Sequence, residues 1–308
     1  MDRILGIIEG DQPGPLVICV AALHGNEQIG LHAFRNVFGA IMQHGIHVKG
    51  KIVGIAGNLK AIQSNVRFID YDLNRVWVED RINNICHGTS PELAEDEELV
   101  AIKDIIQKES QGVWTEKVLI DLHSTSSDKG NFLVVPSDEI DHPILKAVRL
   151  PIVVNLDNYL MGTLLSYYHK LGFVSCAFEG GTIGTNAVFQ LHTSGLWEIL
   201  DQSGCISHHD HELEDHYINQ LEEVSRSLPE KVSATYRHSV HKQDGFRMLP
   251  GFHNFQPVQE GQHLAQDKNG PIYAPKAGMV FLPLYQTEGE DGFFLVEEIK
   301  ELDTTITD

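Results

Sequence analysis

Leu16-Val17-Ile18-Cys19-Val20-Ala21-Ala22-Leu23 is an unbroken apolar run, and His24-Gly25-Asn26-Glu27 follows it directly. A continuous apolar stretch of this length reads as a strand buried on both faces, the pattern of a sheet covered by helices. Downstream, Ile29, Ala33, Phe34, Val37, Phe38 and Ile41 recur at helical spacing and define one buried stripe. His24 and Glu27 therefore occupy the turn between a buried strand and its helix. Open α/β sheets collect ligands at the carboxyl ends of their strands, and two further apolar runs end in polar groups. Val118-Leu119-Ile120-Asp121-Leu122 delivers His123, and Phe173-Val174-Ser175-Cys176-Ala177-Phe178 delivers Glu179.

Working outward, strand candidates at 15–23, 51–57, 117–122, 131–136, 152–156 and 173–178 alternate with helical patterns through the first two thirds of the chain. This is α/β grammar. Past about residue 230 the text changes to short alternating runs punctuated by Asn269-Gly270 and Pro275-Lys276-Ala277-Gly278, which predicts an all-β segment. A chain of 308 residues exceeds what one core usually holds, so the expected division is a catalytic α/β domain at 1–230 and a smaller β domain at 231–308. A helix near 211–227 bridges them. Ser90-Pro91-Glu92 reads as an N-cap with proline at the first helical position, and Glu95, Asp96, Glu97 and Glu98 as the solvated, dipole-favoured start of that helix.

The formal charge of −20 disfavours nucleic acid and anionic membranes as partners, because both demand clustered Lys and Arg. An anionic substrate would need a local arginine cluster to overcome the acidic field. Cys19, Cys86, Cys176 and Cys205 have no CxxC spacing and read as reduced core thiols. Ile4-Leu5-Gly6-Ile7-Ile8 is too short for a secretory core, and no apolar stretch approaches the ~20 residues that span a bilayer. The expectation is a soluble cytoplasmic protein, its oligomeric state left open. His208, His209, His211 and His216 are dense enough to suggest metal, but with acids among them they read as an exposed helix face.

His24 and Glu27 can reach one ion from a single turn, and a histidine from a distant strand, His123, completes the set of two imidazoles and one carboxylate found in catalytic zinc sites. Zinc lowers the pKa of its water to about 7, and a carboxylate outside the ligand set must then move protons. Glu179 is the candidate general base. Between the ligands lies Arg67-Phe68-Ile69-Asp70-Tyr71-Asp72-Leu73-Asn74-Arg75. Here Arg67 can stabilise charge developing on a carbonyl oxygen, while Asn74 and Arg75 can hold a carboxylate.

With these residues in this order the sequence resembles the succinylglutamate desuccinylase/aspartoacylase family, itself similar to the zinc carboxypeptidases. The matching text is His24-Gly25-Asn26-Glu27, Asp70-Tyr71-Asp72-Leu73-Asn74-Arg75, Asp121-Leu122-His123-Ser124-Thr125 and Glu179-Gly180-Gly181. The resemblance implies a zinc-carboxypeptidase-like mixed sheet flanked by helices, with a carboxyl-terminal β domain partly covering the site. It implies one zinc on His24, Glu27 and His123, carbonyl polarisation by Arg67, carboxylate binding by Asn74 and Arg75, and Glu179 as base. The implied reaction is hydrolysis of a small N-acyl amino acid. Two departures stand against acetylaspartate itself. His169 occupies the position of an arginine ten residues before the base, and Glu288-Gly289-Glu290-Asp291-Gly292-Phe293-Phe294 replaces a paired-tyrosine motif, for which Tyr285 is the candidate substitute. A metallocarboxypeptidase trimming short peptides shares every catalytic residue, and a non-catalytic metal-binding scaffold is the third reading. Ligand type alone does not separate zinc from cobalt or manganese.

Overall fold

The computed structural model describes residues 1–87, 93–125, 130–207, 214–285 and 289–300. Its strands are β1 (Ile4–Glu9), β2 (Gln12–Ala21), β3 (Lys49–Ala56), β4 (Lys117–Thr125), β5 (Phe132–Val134), β6 (Ile152–Val154) and β7 (Val174–Thr182), followed by β8 (Lys231–Ser239), β9 (Arg247–Met248), β10 (Gln256–Val258), β11 (His263–Asp267), β12 (Gly270–Tyr273), β13 (Gly278–Phe281) and β14 (Asp291–Glu298). The helices are α1 (Ile29–His44), α2 (Leu59–Ser64), α3 (Glu79–His87), α4 (Ala94–Glu109), α5 (Pro143–Ala147), α6 (Leu164–Lys170), α7 (Asn186–Gln202) and α8 (Glu214–Ser225).

Among the described residues one mixed sheet runs in the order β1-β3-β2-β4-β7-β5-β6-β8-β14-β13-β10, and β12-β11-β9 form a smaller antiparallel sheet. The centre, β3-β2-β4-β7, is parallel. Alternation along β2 explains its unbroken hydrophobicity. Val17, Cys19 and Ala21 enter the core shared with Phe34, Val37 and Ile41 of α1 and Trp197 and Ile199 of α7. Leu16, Ile18 and Val20 enter the opposite core with Leu99, Ile102 and Ile106 of α4 and Tyr168 of α6. Each face of the strand is covered, so neither set of alternate positions tolerates a polar side chain.

The all-β region continues the large sheet. β8, which begins just past the expected 230/231 boundary, pairs in parallel with β6 and antiparallel with β14. A third core, with Phe132 and Val153 on one side and Phe281 and Phe294 on the other, closes this junction.

Three local readings change. Ile4-Leu5-Gly6-Ile7-Ile8, outside the expected strands, belongs to edge strand β1, antiparallel to β3. β4 and β7 extend to Thr125 and Thr182, so His123 and Glu179 lie within strands, where ladder hydrogen bonds fix their backbones. Of the acidic run of α4 only Glu97 is exposed as expected; Glu95, Asp96 and Glu98 are buried, because each of these carboxylates meets donors from other segments. The Ser90-Pro91 cap and most of the 208–216 histidine cluster lie outside the described residues; His216 falls on α8. Cys19, Cys176 and Cys205 are buried free thiols, and no described helix is long and apolar enough to cross a membrane.

Candidate functional site

The turn after β2 is built by backbone geometry that few sequences allow. Ala22 takes a left-handed φ of 59°, which redirects the chain at the end of the strand. A Cβ on Gly25 would lie 2.2 Å from the carbonyl carbon of Ala61, so only glycine lets the turn rest against α2. The Gly25 N–H donates to the Arg67 carbonyl at 3.1 Å, which draws the 67–75 segment against the same turn.

His24, Glu27 and His123 converge there. One potential ligand atom from each lies within 4.8 Å of the others, and all three residues are buried. Both Nδ1 atoms face the Glu27 carboxylate, His24 at 2.8 Å and His123 at 3.0 Å, and the Ser124 N–H donates to it at 2.9 Å. The opposite ring nitrogens meet carboxylates: His24 Nε2 lies 3.0 Å from Asp72 and His123 Nε2 lies 2.7 Å from Asp121. With Nε2–H donating outward, the Nδ1 lone pairs are aimed at the centre of the group, the carboxylate–histidine arrangement that orients metal ligands. Burial acts to raise the Glu27 pKa, yet the two imidazoles hold it well below the usual carboxylate range. Burial acts to lower that of His123, yet Asp121 and Glu27 raise it well above the ordinary value. The first shift keeps the Glu27 carboxylate ionised and the second reports the negative charge that Asp121 and Glu27 place around His123, and the donor set of two imidazoles and one carboxylate fits a divalent cation such as zinc.

Glu179 stands directly across the β4–β7 ladder from His123. Burial pushes its pKa up to about 7, against the opposing pull of His123, and its Oε2 is buried without a hydrogen-bond partner among the described residues. An unpartnered carboxylate oxygen is costly in a folded protein, and a buried carboxyl with a raised pKa beside a cavity is a candidate for proton transfer.

Arg67 bridges Glu27 at 3.3 Å and Asp72 at 3.1 Å. The Oδ1 of Asn74 accepts from the Leu164 N–H at 2.8 Å, and its Nδ2 lies 3.4 Å from His123 Nε2. Arg75 pairs with Asp291 of β14 at 3.3 Å, and the other oxygen of that carboxylate accepts from Arg237 Nε at 2.6 Å. The middle of the segment hangs on Glu95, a residue the sequence reads as part of a solvated helix start. Glu95 accepts backbone N–H bonds from Ile69 at 2.7 Å, Asp70 at 2.9 Å and Tyr71 at 3.3 Å, and a fourth bond from the Asn58 side chain at 2.9 Å. The available signal was a cluster of acids whose spacing gives some of them an inward direction on α4.

These groups line a cavity of about 850 Å³ that His24, Glu27, Arg67, Arg75, His123 and Glu179 share with side chains from the C-terminal strands. His169, near the end of α6, also reaches it, but its ring pairs with Glu139 and Asp138. Tyr285 is not at the cavity: its hydroxyl donates to Leu249 and Phe252 carbonyls and accepts from the Phe252 N–H. These bonds hold the Tyr285 hydroxyl in that turn.

Residues 13–191 match the sequence profile of the succinylglutamate desuccinylase/aspartoacylase catalytic domain. A probable aspartoacylase of Prochlorococcus marinus (strain MIT 9313) is 34% identical over 126 residues, 40% of this chain and 38% of that protein. A second, from Acaryochloris marina (strain MBIC 11017), is 28% identical over 130 residues, 41% and 39% of the two chains. The chain thus matches about two fifths of the length of these curated relatives. In fold it resembles succinylglutamate desuccinylase from Chromobacterium violaceum, with a TM-score of 0.67 at 17% identity over 96% of this chain and 88% of that one. The product-bound ectoine utilization protein EutE (DoeB) from Ruegeria pomeroyi gives 0.65 at 18% identity over 94% and 87%.

Proposed function

The chain belongs to the succinylglutamate desuccinylase/aspartoacylase family, and from that premise we propose that it is a zinc-dependent amidohydrolase cleaving the amide bond of a small N-acyl amino acid. The observation that carries this reading is the buried His24–Glu27–His123 group facing a Glu179 whose carboxylate has an unpartnered oxygen. His24, Glu27 and His123 would hold the zinc, which when bound supplies a Lewis acid for the carbonyl oxygen and eases the deprotonation of water.

The remaining chemistry belongs to the chain. Glu179 accepts the proton of the attacking water and returns it to the amide nitrogen as the C–N bond breaks, leaving a carboxylate and a free amine. Arg67, fixed beside Glu27, donates to the carbonyl oxygen as negative charge grows there. Asn74 and Arg75 bind the carboxylate of the amino acid, which positions the amide over Glu179. Leu282, Leu284 and Asp291 wall the cavity from the C-terminal side, which supports a small substrate over a peptide. The test is hydrolysis of an N-acyl amino acid library by metal-replete protein. A Glu179→Gln variant is expected to lose about 10²–10⁴-fold in kcat while still binding metal. Activity equal to the parent would overturn the assignment.

A further inference from the structure

We infer that the acyl half of the cleft accepts an uncharged, apolar acyl group and disfavours a dicarboxylic one such as succinyl, an inference that rests on the deacylase reading above. The sheet register begins the argument. Val134 of β5 pairs with Ala177 of β7, two residues before Glu179 and on the same face of the strand. An apolar wall therefore starts immediately beside the candidate base. It continues through Leu156 and Leu160 after β6 and is completed by Leu282, Leu284 and Phe294 from the C-terminal strands. Val134, Leu160, Leu282 and Leu284 are only half-buried, so they still have surface to cover.

Charge decides the class of occupant. A second carboxylate needs a cation whose bonds are unspent. In the deacylase reading Arg67 is already committed to the carbonyl oxygen and Arg75 to the amino acid's carboxylate, and the other cations set back from solvent are engaged within the protein, His169 by Glu139 and Asp138 and Arg81 by Asp96. Lys170 and Lys242 stand exposed, where water competes for any anion. With the amino acid's carboxylate at Asn74 and Arg75, the acyl group is left the apolar wall. The cavity volume of about 850 Å³ lies high in the ~300–1,000 Å³ range of sites that enclose drug-sized ligands, which leaves room for a chain longer than acetyl.

The experiment compares N-acetyl, N-butanoyl, N-hexanoyl and N-succinyl derivatives of one amino acid, the one whose acetyl form turns over fastest, using metal-replete enzyme. Butanoyl and succinyl have the same carbon count, so their ratio isolates the charge. The expected kcat/KM rises up to about fourfold per methylene, the equivalent of ~0.8 kcal/mol per buried CH₂, and succinyl falls at least ~10-fold below butanoyl. Leu160→Lys should reduce the hexanoyl rate and raise the succinyl rate, whereas Leu160→Ala should flatten the chain-length series. Calorimetric binding of hexanoate against succinate reads the wall without turnover and should favour hexanoate. Succinyl equal to or better than butanoyl, or no preference between the two free acids, overturns the inference while leaving the deacylase reading intact. No turnover anywhere in the panel overturns the deacylase reading, and the acid-binding preference then judges the wall separately.

Discussion

The His24–Glu27–His123 group and the 67–75 segment sit side by side in one cavity, yet they are held by different forces. His123 and Glu179 are placed by the β4–β7 ladder, and His24 by the turn directly off β2, so backbone hydrogen bonds of the central sheet set their spacing. Arg67, Asn74 and Arg75 belong to a stretch whose order comes from individual carboxylates: buried Glu95 of α4 beneath residues 69–71, the stretch's own Asp72 beside Arg67 and His24, and Asp291 of β14 across from Arg75. The spacing of His24, His123 and Glu179 thus follows from the sheet, while that of the 67–75 segment depends on individual side chains.

The sharpest separation of the two regions comes from removing one carboxylate in each. Glu27→Ala takes away a ligand and the acceptor that both imidazoles and Ser124 share. Zinc affinity, measured by chelator competition, should fall by more than ~100-fold, beyond the effect of losing an outer partner. Glu95→Ala should instead leave metal stoichiometry unchanged while costing about 4 kcal/mol of stability in urea unfolding, because several donors lose their acceptor. Glu95→Gln, which retains an amide oxygen, should recover part of that stability, and its residual defect should fall on KM more than on kcat. Loss of metal in Glu95→Gln would erase the distinction drawn here.

Acid titration reports on the sheet side. His192 of α7 is fully buried behind β7, with Nε2 3.3 Å from the Phe178 carbonyl, and burial lowers its pKa to about 4. Above pH ~6.5 the ring is neutral in both folded and unfolded chains and contributes no slope. As pH falls from there, the unfolded chain takes up the proton first, so stability is lost down to about pH 4, by roughly 3 kcal/mol in total. The difference between parent and His192→Asn unfolding free energies, followed from pH 7 to 4, should contain this slope; a flat difference would show that the ring is not held neutral. The smallest effect is expected at Asp291→Asn. The Arg75–Asp291–Arg237 contact is partly exposed, so stability should change by no more than about 1 kcal/mol.

The same contrast explains what was legible in the sequence. Continuous apolar runs announce doubly covered strands, so 15–23, 51–57, 117–122 and 173–178 were placed within a few residues, and with them the ends that carry His24, His123 and Glu179. The edge strand β1 escaped because its half-exposed isoleucines make no such run. Glu95 escaped for a nonlocal reason: an acid in the first turn of a helix is ordinarily a dipole-favoured surface group, and its inward role depends on N–H groups some 25 residues earlier. The apolar wall was equally hidden, since Leu160 and Phe294 are far apart in the chain and meet only through the junction of β6, β8 and β14.

The central claim is that His24 and Glu27 from the turn after β2 and His123 from within β4 hold one catalytic divalent ion, and cobalt substitution tests it most directly. Titration of metal-free protein with cobalt should saturate at one ion per chain, with a visible spectrum of low coordination number and nitrogen–oxygen ligation, and His123→Ala should abolish it. Binding that survives His123→Ala with the same spectrum, or no binding at all to the parent, would contradict the account.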